Sequence, residues 1–394
     1  MDPYITDWLN LIIRFIHVVT GIAWIGASFY FIWLDNHLEN PPEWKKEKGI
    51  KGDLWAIHGG GFYEVAKYEL APPVLPDILH WFKWEAYSTW ISGFFLLALM
   101  YYVGAETYLI DPRVANISQA QAIGIGLGAI FGSWIIYDLL CRSPLAKSSL
   151  FLGLVLLISV GLLAFGLSQV FSPRGAYMHV GAVIGTIMAG NVFRVIIPSQ
   201  KALVAAVEAG GRPDPAWAAK AKLVSTHNTY LTLPVIFIMI SSHYPMTYNH
   251  EFAWAILIAI ILITALARQY FVLRHKNNHQ PFLMAGVIVA TLILAYVIAP
   301  SRDKAEATSP VSFDPSLSVE TIIKQRCATC HSATPTDEVF RIAPSGVILD
   351  TPDDIERWAA QIIARTVVNK DMPMINKTDM TDEERLYLNE KLGK

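Results

Sequence analysis

Eight apolar stretches constrain this chain more than any other feature of its sequence, at roughly residues 9–34, 87–105, 121–141, 149–170, 177–197, 227–243, 251–273 and 281–299. Backbone placed in hydrocarbon must satisfy its own hydrogen bonds, and a helix of about 20 residues is the length that crosses a bilayer. The expected fold is therefore an all-α membrane protein, an eight-helix transmembrane bundle occupying residues 1–300. Composition agrees, with 53% hydrophobic and only 16% charged residues. A net charge of −2 with no basic run excludes nucleic acid as a partner.

The loops set a direction. Those on one side carry Lys45, Lys46, Lys48, Lys51, Lys67, Lys83, Arg142, Lys147, Lys201, Arg212, Lys220, Lys222, Arg274 and Lys276, and those on the other carry only Arg113 and Arg174. The positive-inside rule then places both termini outside the cytoplasm, as an even number of spans requires. The acidic start, with Asp2 and Asp7, and the lack of a small-residue cleavage site mark the first apolar run as a retained span and not a signal peptide. Phe15-Ile16-His17 with Gly21 and Gly26 is echoed by Tyr177-Met178-His179 with Gly181, Gly185 and Gly190, the pattern of a parallel 4+4 repeat. Ordinary small-residue packing between membrane helices gives the same spacing. The inside loop 35–86 is long and aromatic, and Leu54 to Val65 reads as a hairpin turning at Gly59-Gly60-Gly61. Long ordered loops commonly serve as lids or binding elements.

The last 94 residues carry 28 of the 64 charged residues. Residues 301–317 have linker composition and 318–394 read as a small separate domain. Cys141, Cys327 and Cys330 are too few for a disulfide framework. Cys327-Ala328-Thr329-Cys330-His331 has the spacing for covalent haem c: two thiols meet the two vinyl groups of one porphyrin and His331 supplies the proximal nitrogen. Zinc needs four ligands, and the third thiol, Cys141, belongs to the other side of the membrane. An amphipathic helix at Ser318–Arg326 leads into the motif, and the capping box Thr381-Asp382-Glu383-Glu384 opens a final helix. This layout resembles a small class I cytochrome c. That resemblance implies a distal methionine followed by proline, which is Met372; Met374 and Met380 remain alternatives.

Ionisable groups within spans are costly and mark candidate sites. Arg14 and His17 fall in the outer half of span one and His179 at the outer end of span five, whereas Arg194, His227, Asn228, Asp138 and Arg268 fall near inner ends. Snorkelling to the interface accounts equally for Arg194, Asp138 and Arg268. His58 beside three glycines is placed either to offer backbone N–H groups to an anion or simply to close the hairpin. His275 and His279 read as part of a solvated loop.

His17-Val18-Val19-Thr20-Gly21-Ile22-Ala23-Trp24-Ile25-Gly26, the loop His58-Gly59-Gly60-Gly61-Phe62-Tyr63, the eight spans and the terminal Cys-x-x-Cys-His motif together resemble the bacterial membrane-bound urate hydroxylases over nearly the whole chain. The resemblance implies oxidation of urate to 5-hydroxyisourate at the bacterial inner membrane. Electrons would pass through a periplasmic cytochrome domain to a cytochrome c or terminal oxidase. Urate is a planar anion suited to arginine pairing and aromatic stacking, so the expected pocket opens inward among Arg194, Arg268, His227 and Asn228, with His58 nearby and His227 or Glu64 as proton acceptor. One haem accepts one electron and urate gives two. A haem b between His17 and His179 is therefore expected as a second centre, against the plain alternative that each histidine bonds a neighbouring helix. The competing functions are a quinol-linked electron-transfer subunit without urate chemistry, and a transporter with a fused cytochrome.

Overall fold

A run of 35 residues from Pro3 to His37 without an interior proline forms a single helix, α1. In the computed structural model, which describes residues 3–276, 278–299, 317–340 and 343–393, helices of eight or more residues are numbered in order. After α1 come α2 (Trp84–Leu97), α3 (Gln119–Arg142), α4 (Ser149–Ser168) and α5 (Pro173–Asn191). Then follow α6 (Ile197–Glu208), α7 (Pro215–Ser241), α8 (Ala253–His275) and α9 (Pro281–Val297). The C-terminal unit holds α10 (Val319–Arg326), α11 (Pro352–Ile363) and α12 (Asp382–Leu392).

Among the described residues seven helices are long and apolar enough to cross a membrane. Five match expected spans closely in place, and α7 begins at Pro215, twelve residues before the expected start at 227. The fifth span runs further than expected, to Glu208, because a π turn at Val192–Ile196 joins α5 to α6. Pro198 has no amide hydrogen to give the preceding turn, and the wider turn sits where a regular ladder would be interrupted. The expected eighth span is the 17-residue α9, which packs against α8.

The bundle is centred on α5. Of its most apolar window 67% is buried, against 0% for α1, whose large apolar side chains face outward. The two helices expected to be equivalents in a 4+4 repeat thus occupy opposite environments. Where both the interior and the surroundings are apolar, burial gives little preference for one helix face, and close packing and polar contacts hold helices together. Asn191 Nδ2 donates to Asn228 Oδ1 and Tyr137 Oη, both at 2.9 Å, and Trp90 Nε1 donates to Thr186 Oγ1 at 3.0 Å.

The departure from an all-α chain is the hairpin expected in the aromatic loop. Strands β1 (Ile50–His58) and β2 (Gly61–Tyr68) pair antiparallel, with His58 opposite Gly61. Gly59 and Gly60 take φ of +58° and +81°, the tight-turn backbone that side chains disfavour.

In the C-terminal unit, α10 to α12 enclose a separate core of Ile322, Ile323, Leu349, Ile355, Ile362, Met380 and Leu388. The helices expected at both ends form. The third, α11, was not anticipated from sequence; Thr351 and Asp354 make a capping box ahead of it. Residues 301–316 of the expected linker lie outside the described residues. The unit rests on one end of the bundle: Asn249 Nδ2 donates to the Asn369 carbonyl at 2.9 Å, and the turn Ala105–Tyr108 packs on Met374–Asn376. That end carries Arg113 and Arg174, the two basic residues of the sparsely basic loops.

Candidate functional site

A cavity of about 1190 Å³ lies between α1, α2, α5 and α7. Small residues open it: Gly21, Gly181, Ala182 and Gly185 line its walls. The end beneath the C-terminal unit is lined by Arg14, His17, Met100, Tyr101 and Arg174, and the end toward the hairpin by Asp35, His80, Glu85 and Lys222. Arg14 donates to Asn10 Oδ1 through Nε and Nη2, at 3.1 and 3.0 Å, and its Nη2 also meets Met100 Sδ at 2.8 Å. The Arg174 guanidinium lies 5.4 Å from the Tyr108 ring centroid, with Nε buried and unpartnered. His17 Nδ1 is 3.0 Å from the Thr89 carbonyl and 3.3 Å from Ser92 Oγ. A proton on Nδ1 shared with that carbonyl leaves Nε2 as the acceptor of a ring lining the cavity.

The inward pocket expected from sequence does not assemble as expected. Of its residues only Asn228 lines the cavity, donating to the Met188 carbonyl at 3.0 Å. His227 is the next residue of α7 and consecutive helical positions point about 100° apart. It therefore faces Tyr137 Oη at 2.7 Å and Cys141 Sγ at 3.9 Å. Tyr137 and Asn191 link the two, a relay that sequence reasoning missed. Arg268 is buried off the cavity with its guanidinium 4.2 Å from the Phe29 ring centroid. Arg194 is exposed in the π turn, as snorkelling would have it. Glu64 and His58 belong to the hairpin, Glu64 ion-paired with Lys45 and His58 exposed at the turn. Sequence reasoning also missed Glu85, which lines the cavity with Oε2 buried and unpartnered, and it left Arg174 among the loop charges.

His17 and His179 are not brought to a common space. His17 lines the cavity and packs on Gly93 of α2, whereas His179 is fully buried away from it, ringed by Tyr101, Tyr102 and Phe171. His17 bonds a neighbouring helix, the plain alternative noted from sequence, whereas His179 Nδ1 bonds the Gly175 carbonyl at 2.8 Å within its own helix. Its Nε2 abuts Gly126 so closely that an added Cβ there would sit 2.7 Å away, and 2.9 Å from Tyr102 Oη. A porphyrin between the two histidines does not fit this packing. The same contact predicts that Gly126→Ala lowers the thermal midpoint in detergent, at a cost of about 1–3 kcal/mol for overpacking.

In the C-terminal unit, Cys327 closes α10, and the amides of Cys330 and His331 return to its carbonyl at 3.1 and 2.9 Å. All three chemical groups of the motif thus lie on one turn. His331 Nδ1 is 3.1 Å from the Val347 carbonyl, and the Leu349 amide bonds the His331 carbonyl at 2.9 Å. A backbone carbonyl on the far ring nitrogen is the usual support of a coordinating histidine. Burial lowers the His331 ring below its ordinary pKa and keeps it neutral. Burial also pushes the Cys327 thiol up to about 12 and raises Cys330, so neither is a thiolate at neutral pH. The donor set, two free thiols and a carbonyl-held imidazole, suits a covalently attached porphyrin. Met380 is buried in the small core, whereas Met372 and Met374 are half-buried. Arg385 secures the Met372 loop, with Nη1 donating to the Met372 carbonyl at 2.8 Å and Nη2 to Asn376 Oδ1 at 3.0 Å.

Long apolar helices around a cavity with charged ends are compatible with a multi-pass helical membrane protein. The chain belongs to the urate oxidase N-terminal family, whose model matches residues 3–299, the whole of the bundle. Neither the curated proteins nor the solved structures compared with it gave a match. Family membership points to a urate-related oxidoreductase.

Proposed function

We propose that this chain oxidises urate to 5-hydroxyisourate in the cavity of the bundle and passes the electrons to a haem c held by Cys327, Cys330 and His331, with Met372 as the distal ligand. The observation that carries this reading is placement: the cationic end of the cavity and the Cys-x-x-Cys-His unit lie at the same end of the bundle. Electron transfer slows steeply with distance, and this arrangement shortens the route that an inward pocket would have lengthened. The overall step takes urate and water to 5-hydroxyisourate, two protons and two electrons. Bound haem c supplies one-electron acceptance. The chain's own residues bind the anion, hold it and accept its protons. His17, at the cationic end, offers Nε2 for that purpose.

The loop charges support eight spans in a bacterial inner membrane, with both termini and the cytochrome unit on the periplasmic side. From there electrons reach a cytochrome c or a terminal oxidase.

The test is anaerobic addition of urate to the oxidised full chain while the haem absorbance is followed. Urate is expected to reduce the haem, with two protein molecules reduced per urate, since one haem takes one electron. Reduction by a quinol, with urate inert, would replace this function by the quinol-linked alternative.

A further inference from the structure

We propose that Arg14 and Arg174 form the anion-binding end of the cavity, holding the charged edge of a planar organic anion beside Tyr101, with His17 positioned as proton acceptor. Naming urate as that anion rests on the proposed function; the anion site itself stands on four observations. First, among the described residues neither guanidinium pairs with a carboxylate: Arg14 is held by neutral Asn10 and Met100, and Arg174 lies against the Tyr108 ring. Both line the same end of the cavity, and like charges part-buried within a bundle are costly without a counter-ion. Second, Arg174 Nε is a buried donor with no acceptor, which a bound oxyanion would satisfy.

Third, the surroundings suit a flat ring. Tyr101 lines the cavity beside Arg174, and behind them Tyr108, off the cavity, backs the Arg174 guanidinium, its ring centroid 6.2 Å from that of Tyr101. His17 is three residues beyond Arg14, so both occupy one face of α1. Fourth, the opposite end offers an anion less. Its Asp35 already pairs with Lys67 at 2.5 Å and with Lys222 at 3.4 Å, and Glu85 adds a carboxylate there. A negatively charged ligand in this cavity therefore settles at the arginine end, under the C-terminal unit.

Binding is measured by equilibrium dialysis on the dithionite-reduced full chain, where no turnover is possible, with radiolabelled urate and, separately, orotate as a second planar anion. Arg14→Gln and Arg174→Gln are each expected to weaken urate binding at least tenfold, with substantial recovery in Arg14→Lys and Arg174→Lys. Lys222→Gln, at the other end, stays within twofold of wild type. As a measurement on the unmutated protein, urate is expected to protect Arg14 and Arg174 from phenylglyoxal, read by mass spectrometry. Glutamine variants that bind within twofold of wild type, or a footprint without protection at either arginine, would overturn the site. Orotate binding that depends on both arginines, with no urate binding, would keep the anion site and remove urate as the substrate. A wild-type protein that binds neither anion refutes the site.

Discussion

Cys327→Ala is expected to abolish urate-driven electron transfer while leaving urate binding intact. The proposed attachment needs both thiols on the turn that ends α10, and the His331 ring is held one residue further by the Val347 carbonyl. Removing Cys327 takes away a bond to the porphyrin and leaves the cavity untouched, because the two lie in separate cores. The measurement has two parts. Haem-stained denaturing gels are expected to lose the band at the mass of this chain, and anaerobic urate is expected to give no change in haem absorbance. Equilibrium dialysis should meanwhile return the wild-type affinity for urate. A retained covalent haem would mean that Cys330 suffices for attachment, and retained electron transfer without haem would remove the motif from the reaction.

The second large effect separates two methionines that sequence alone left as alternatives. Met380 is 3% exposed in the core of the C-terminal unit, against Cys327, Ile322 and Leu388. Met380→Ala is therefore expected to cost about 2–5 kcal/mol, the range for truncating a buried methionine. That is a large share of the roughly 5–15 kcal/mol that keeps a small domain folded. Thermal unfolding followed at the haem band measures it. Met372 is half-buried in a loop secured by Arg385, so Met372→Ala is expected to leave the thermal midpoint close to wild type. Its effect falls on the cofactor: the reduction potential drops, since a methionine ligand raises it, and urate reduces the haem more slowly. The opposite pattern, with Met380→Ala shifting the potential and Met372→Ala the stability, would move the distal ligand to Met380.

Much of the architecture was legible because it depends on local chemistry. Gly59 and Gly60 announced the hairpin turn, since few other residues tolerate that backbone. Thr381 with Glu384 announced the start of α12 through the hydrogen bonds that two side chains make to free amides. The site was less legible. His227 and Asn228 were expected to work in one pocket, yet their side chains diverge, and Tyr137 and Asn191, unremarkable as letters, connect them. Arg14 and His17 were noticed as intramembrane residues three apart, but the partner that gives Arg14 its meaning, Arg174, comes from the first turn of α5, 160 residues away in the chain.

By itself the sequence determined that the chain forms long apolar helices, where most of them begin and end, that a hairpin interrupts them, and that a Cys-x-x-Cys-His turn follows a capped helix. Each follows from hydropathy summed over a segment or from bonds made within a few residues. Only the tertiary structure decided which face of each helix looks inward, which polar residues share the cavity, and which end of the bundle meets the C-terminal unit. The reason is the solvent. A helix in water advertises its buried face by an apolar stripe, whereas a helix with hydrocarbon on one side and packed side chains on the other is apolar all round, and no periodicity marks the face that turns toward its neighbours.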